Sequence, residues 1–262
     1  MRRKKNSSHR TLPAIIFFAL IIGAIILSFV FKAFLVIKDS RFERGSRFTV
    51  FITDLKQGEL ISFVRENHSV SILKVKGVTG NPYRYFEIPI DAGIQVKNLD
   101  LNKTVSEITS DIIFKKTTKK SLNLVDLLKM FLFSKTVSPQ NILVREISPK
   151  IDKSSLEKIL NLLFQDSEIT SERPTIEVVN ATQEQGVGER HARLVTNMGG
   201  NVVLVSTGER SKESGIYYEG KKNYTIEKLS DVLKFTLRKK KVSKIADITL
   251  VIGEDYKISS PY

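Results

Sequence analysis

Apolar residues follow three rhythms along this 262-residue chain. The first is a continuous run, Leu12 to Phe31 (LPAIIFFALIIGAIILSFVF), which contains no charge. Coiled as a helix at about 1.5 Å per residue, it reaches about 30 Å, the thickness of a bilayer's hydrocarbon core. The second is alternation. RFTVFITDL, GELISFVREN and SVSILKVKG read as strands, the last two separated by the turn-like Glu66-Asn67-His68. GVTGNPY is a turn cluster, and YRYFEIPIDAGIQVKN is a further strand candidate interrupted by Pro89. A meander or mixed sheet is expected. The third rhythm is helical. LNKTVSEITSDIIFKK opens on a Thr104-x-x-Glu107 capping box. SLNLVDLLKMFLFSK repeats apolar residues at Leu124, Val125, Leu127, Leu128, Phe131 and Leu132. After a strand at NILVREIS, SSLEKILNLLF predicts a short helix capped by Ser154 or Ser155. The polar stretch DSEITSERP ends in Pro174 and marks a boundary.

Beyond Pro174 the pattern is cleanest. TIEVVN predicts a strand, and GVGERHARLVTNMGG a helix stopped by Gly199-Gly200. NVVLVSTGE and SGIYYEG predict two strands, TIEKLSDVLKFTLRKK a helix capped at Thr225, and ADITLVIGED a closing strand. The order β-α-β-β-α-β predicts a ferredoxin-like domain, a four-stranded sheet with both helices on one face. The fold class is therefore α+β. Its parts are a basic tail (1–11), a transmembrane signal-anchor helix (12–37), a reduced α/β or α+β domain (47–170) and a C-terminal domain (174–257).

Charge sharpens the membrane reading. The net +14 looks at first like the signature of a nucleic-acid binder. Yet Arg2, Arg3, Lys4, Lys5 and Arg10 precede the apolar run with no acid among them. Residues 11–47 add Lys32, Lys38, Arg41, Arg44 and Arg47 against Asp39 and Glu43. More than half the excess charge thus brackets one helix. The basic head keeps the N-terminus cytoplasmic, so the body is expected outside the membrane, on a single-pass anchor. The run is longer than a signal-peptide core, and no good cleavage site follows it. No nucleic acid is expected as a partner: FKKTTKK (Lys115, Lys116, Lys119, Lys120) and RKKK (Arg238 to Lys241) lack interleaved aromatics.

The absence of cysteine excludes disulfides, thiolate metal sites and cysteine nucleophiles. With His9, His68 and His191 as the only histidines, a histidine-rich metal centre is excluded as well. His191, in the first turn of its helix, lacks a nucleophile or an orienting partner and reads as packed or solvated. Asp54, Asp91 and Asp255 would form a carboxylate cluster only if the fold brought them together.

The last third resembles the C-terminal domain of LytR-type cell-envelope proteins. The likeness rests on VVNATQEQGVGERHARLVTNMGGNVV, SGIYYEGKKNYTIEKLSDVL and DITLVIGEDY. The family's Val-Asn-Gly-Thr stands here as Val179-Asn180-Ala181-Thr182, its glycine-bearing loop holds Gly186 and Gly188, and its Gly-x-Asp ending is Gly253-Glu254-Asp255. The weak ligand-binding candidates are Asn180, Gly186, Gly188 and Asp255. Glu189 would offset the helix dipole there and repel phosphate.

The preceding region is similar to a shortened, degenerate LytR-CpsA-Psr catalytic domain. YFEIPIDAGIQV resembles that family's Ser-Ile-Pro-Arg-Asp-Thr strand, with Pro89 and Asp91 in place but Ile90 where the arginine should be. The resemblance implies glycan transfer from a polyprenyl-pyrophosphate carrier, with arginines and aspartates holding pyrophosphate and Mg²⁺. Ile90 cannot grip phosphate, and the family's Arg-x-Asp pair is absent. No catalytic residue and no resident metal is therefore assigned. The expected function is non-catalytic binding of cell-wall polymer or an envelope partner. The alternative is an active glycopolymer phosphotransferase, with Mg²⁺ as cofactor and Arg65, Arg84 and Asp91, or Arg145, as the phosphate grip. A membrane-bound DNA-binding regulator would require a cytoplasmic body.

Overall fold

The computed structural model describes residues 12–38, 40–43, 45–77, 85–114, 119–148 and 150–256. Two compact units are present, residues 1–40 and 41–262. The described part of the first is one helix, α1 (Leu12–Lys38), whose window Ile15–Lys32 has a mean hydropathy of 2.7 and no buried residue. It is long and apolar enough to cross a membrane. The basic head before it lies outside the described residues.

The second unit opens on a six-stranded mixed sheet. Its strands are β1 (Arg47–Thr53), β2 (Gln57–Val64), β3 (Ser69–Lys76), β4 (Ala92–Gln95), β5 (Lys119–Lys120) and β6 (Ile142–Ile147), in the order β5-β4-β1-β2-β3-β6. The pairs β1·β2, β2·β3 and β4·β5 are antiparallel, whereas β1·β4 and β3·β6 are parallel. Both faces of this sheet are covered. Phe48, Val50, Ile52, Ile61 and Phe63 point into a core shared with α2 (Val105–Phe114) and α3 (Leu124–Thr136). Phe51, Leu60, Leu73 and Val75 point the other way, against α4 (Lys153–Phe164) and the loop side chains Phe86, Ile88 and Ile90. The expected long strand around Pro89 is thus a loop followed by the short β4.

Local chemistry sets the helix ends. The capping box forms as read: the Thr104 backbone N–H donates to Glu107 Oε2 (2.8 Å), and the Glu107 N–H to Thr104 Oγ1 (3.3 Å). α4, however, is capped by Asp152, which accepts from Ser155 N (2.9 Å), and not by a serine. The polar stretch before the expected boundary at Pro174 forms α5 (Ser167–Glu172), capped by Asp166.

The last sheet comprises β7 (Thr175–Asn180), β8 (Asn201–Thr207), β9 (Gly215–Tyr218), β10 (Thr236–Lys239) and β11 (Ile248–Ile252), in the order β10-β9-β11-β7-β8. The α+β class and the β-α-β-β-α-β succession hold, but the pairing is not that of the ferredoxin-like sheet. β7 pairs parallel to both β8 and β11, and a fifth strand, β10, extends the edge. That strand arises where the sequence pattern continued the helix. α7 (Tyr224–Leu233), capped by Asn223 and not Thr225, ends at Lys234 in the left-handed conformation (φ 60°), and the chain turns back into the sheet. α6 (Val187–Asn197) and α7 share one core with Ile176, Val178, Ile216, Ile248, Leu250 and Ile252.

One residue sits against the grain of this packing. Glu59, in the middle of β2, is fully buried, and neither carboxylate oxygen has a hydrogen-bond partner. Burial pushes its carboxyl up to about 7, against the opposing pull of Lys74 on the neighbouring strand. The folded state therefore holds a proton that the unfolded chain has released above its ordinary value of 4.5. This contribution to stability is complete below pH 4.5 and is lost as pH rises to about 7, by about 3 kcal/mol in total. Thermal unfolding of Glu59→Met against the parent should show a gain at pH 8 that shrinks toward pH 5. An equal gain at both values would mean the carboxyl is not the cause.

Candidate functional site

The strand that begins the body starts with a polar pair, Ser46-Arg47, and these residues lie where the two sheets meet. The Arg47 guanidinium is mostly buried. Its Nη1 donates to Ser62 Oγ (2.8 Å) and the Leu163 carbonyl (2.7 Å), and its Nη2 to the Gln165 carbonyl (2.7 Å). Nε has no hydrogen-bond partner. Burial pulls the guanidinium down to about 10, opposed by Asp166, Tyr224 and Asp91.

Asp166 is the hub. Its backbone N–H donates to the Met198 carbonyl (2.9 Å), fixing the start of α5 to the end of α6. Its carboxylate accepts from Ser46 Oγ at 2.9 Å on both oxygens, from the Tyr224 hydroxyl (2.8 Å) and from Glu168 N (3.0 Å). Burial raises the Tyr224 hydroxyl well above its ordinary value, so it stays a neutral donor. Lys228, one turn along α7, is buried as well; its Nζ lies 3.5 Å from the Arg47 carbonyl and 3.9 Å from Asp91 Oδ1. Asp91 in turn accepts from Thr49 N on Oδ2 (2.7 Å). Arg47, Thr49, Pro89, Asp91, Phe164, Asp166, Met198 and Lys228 line a cavity of about 10 Å³, room for about one water. Two cations face two carboxylates, so the charges balance within the protein.

A second contact fastens the same loop. Glu87, held at φ 48°, meets Arg193 of α6 bidentately (Nη2–Oε1 2.7 Å), and Asn197 Nδ2 donates to its carbonyl (2.9 Å). The loop that carries Glu87 is therefore clasped by α6.

Among the described residues, Asp91 is the only sequence-predicted phosphate residue that lines this cavity. Arg65 donates from Nη1 to the Phe42 carbonyl (3.3 Å), Arg145 lies exposed on edge strand β6, and Arg84 lies outside the described residues. Ile90 is buried in the core beneath α4. Asp54 is held low by backbone N–H donors from Leu99, Lys56 and Gln57 acting against its partial burial, and it closes a turn away from Asp91's cavity.

The predicted ligand-binding set gathers at the C-terminal ends of β7 and β11. Asn180 Oδ1 accepts from Thr182 N (3.1 Å) and Oγ1 (2.8 Å), while its Nδ2 donates to the Glu184 carbonyl (2.9 Å). Gly186 caps α6 at φ 77°, which favours glycine. A Cβ at Gly188 would sit 3.2 Å from Val205 and 3.3 Å from Asn180, so glycine allows the close packing there. Asp255 accepts from Ser214 N (2.7 Å) and Oγ (2.6 Å). Each candidate thus has a local structural role. His191 is buried, with Nδ1 2.8 Å from the Val187 carbonyl and its ring near Phe235 and Tyr256; burial lowers its pKa. His68 closes the β2–β3 turn at φ 49°. Lys115 and Lys116 lie outside the described residues. In the second basic run Arg238 pairs with Glu213 and Lys241 with Glu219 (3.0 Å).

Sequence reasoning missed Ser46, Arg47, Asp166, Tyr224 and Lys228. Their only local signal was polar residues in otherwise apolar elements. Among the described residues, no group of three or more His, Asp or Glu side chains is arranged to hold a metal ion.

Residues 173–256 match the LytR_C family, described as the LytR cell envelope-related transcriptional attenuator. No curated protein and no solved structure matches the chain.

The hub makes a quantitative prediction. Removing the Asp166 carboxylate strands Ser46, Tyr224 and the first turn of α5, at a cost of about 3 kcal/mol. Denaturant unfolding of Asp166→Ala, Tyr224→Phe and the double variant should show strong coupling. Additive losses would mean the two side chains do not act as a unit.

Proposed function

We propose that this LytR C-terminal-domain protein is a membrane-anchored, extracytoplasmic envelope protein that binds cell-wall polymer or an envelope partner and carries out no glycan transfer. α1 is its single-pass anchor, with the N-terminus in the cytoplasm and the body outside. The domain family supports a cell-envelope role, and the basic residues ahead of the apolar run support this orientation.

One observation carries the non-catalytic reading. The groups that a pyrophosphate would need are committed to the protein itself. Ile90 is packed into the core, Asp91 accepts from Thr49 and faces Lys228, and the cavity beside them admits about one water. A pyrophosphate would enter only by displacing Arg47, Asp91 or Lys228. The alternative, a glycopolymer phosphotransferase acting on a polyprenyl-pyrophosphate carrier, draws support from Arg47 alone, whose buried Nε lacks a partner. That enzyme would need Mg²⁺ as well.

Candidate binding groups for polymer are the exposed cations of the β10 edge, Lys239 and Lys240. They keep the edge strand from pairing with another chain, and they also favour an anionic polymer. Incubated with purified cell wall, the unit 41–262 should be retained at physiological salt and show no Mg²⁺-dependent hydrolysis of polyprenyl pyrophosphate. Loss of retention even at low salt would contradict polymer binding. Turnover abolished by Arg47→Ala would contradict the non-catalytic reading. A C-terminal reporter active only outside the cytoplasm is the expected result for orientation.

A further inference from the structure

Only part of the apolar periodicity of α3 is buried. Asp126, Leu127 and Met130 face the core, while Leu124, Leu128 and Leu132 are 54%, 42% and 61% exposed. Spaced four residues apart, these leucines form one stripe along the helix. Phe114, at the end of α2, is 81% exposed and extends the apolar surface of the same helix pair. The one acid of α3, Asp126, is turned inward, where it accepts from the Phe42 backbone N–H (3.1 Å). The exposed residues of α3 are Leu124, Leu128, Leu132, Lys135 and Thr136; Lys135 lies over the Phe131 ring (5.7 Å), and the sequence joining α2 to α3 contains Lys115, Lys116, Lys119 and Lys120.

The chain itself indicates what covers this stripe. Lys38 ends the apolar helix, and Phe42 is already fixed to α3. Besides the Asp126 bond, its ring meets Phe133 (centroids 5.8 Å), and Glu43 pairs with Lys129 (2.6 Å). From Lys38 to Phe42 the chain reaches at most about 14 Å. A helix held by so short a tether to a spanning segment stays within reach of the lipid headgroups. An exposed leucine stripe on a helix whose own acid is turned inward suits the boundary between headgroups and acyl chains.

We propose that α3, with Phe114 beside it, lies on the membrane surface, its leucine stripe inserted at the boundary between headgroups and acyl chains. This rests on the reading of α1 as an anchor, and it adds a second, interfacial contact that holds the body against the bilayer.

The cysteine-free chain allows a direct test. The full protein is reconstituted in vesicles of phosphatidylethanolamine and phosphatidylglycerol with an environment-sensitive fluorophore on Leu128→Cys, Leu20→Cys or Val203→Cys. Leu20 reports the anchor, and Val203, 45% exposed on β8, reports the free surface of the body. Lipids bearing a shallow spin label are then titrated in. The expected result is loss of fluorescence at positions 20 and 128 and none at 203. With Leu124→Ser and Leu132→Ser added, the loss at 128 should diminish. Quenching at 20 without quenching at 128 overturns the proposal and leaves the anchor intact. No quenching at 20 overturns both. A probe at 128 shielded from aqueous iodide but untouched by spin-labelled lipid would place a protein on this face and would also overturn the proposal.

Discussion

The carboxylate of Asp166 is buried where the two sheets meet, and a buried charge is tolerated only when hydrogen bonds replace the water it has lost. Here the replacements come from distant parts of the chain. Ser46 sits immediately before β1, Tyr224 opens α7, and the first turn of α5 supplies a backbone donor. Satisfying this one group fixes the entrance of the first sheet against a helix of the second. Arg47 and Lys228 then bring two positive charges to the same seam, with Asp91 as the second negative one. The charge balance is internal, which is why the seam closes to a space for about one water.

That closure decides how the resemblance to a phosphate-transferring domain is read. In YFEIPIDAGIQV, Pro89 and Asp91 serve the architecture. Pro89 helps line the seam, Asp91 ties the loop to β1 through Thr49, and Ile90 fills the core under α4. Glu87, from the same loop, is clasped by Arg193 of α6. This loop is the place where the first sheet meets the second.

Much of the fold was legible because it depends on neighbours in sequence. The alternation in β1, β2 and β3 and the reciprocal Thr104–Glu107 cap need only a few residues to declare themselves. What was not legible depends on distance. Tyr224 lies 178 residues from Ser46, and nothing in YTIEKLSDVL announces that its tyrosine caps a buried aspartate. The periodicity of α3 identified a helix but not which of its apolar positions are buried: Asp126 turns inward to accept from Phe42, Leu127 is buried, and Leu124, Leu128 and Leu132 are left outside. The helix read through LKFTLRKK breaks at Lys234, where a single left-handed residue redirects the chain into β10. The sheet order, with β7 paired to both β8 and β11, follows from long-range strand pairing that no local pattern encodes. At the candidate ligand edge, Asn180, Gly186, Gly188 and Asp255 each have a local structural role.

The central claim is that the seam makes the two sheets one cooperative body. Native-state hydrogen exchange of the full chain tests it most directly, by comparing the opening free energies of amides in β1 with those in β7 and β11. The account predicts that these core amides share one opening free energy and lose it together when Asp166 is replaced. Slow exchange in β7 and β11 alongside independent, easier opening of β1 would contradict it.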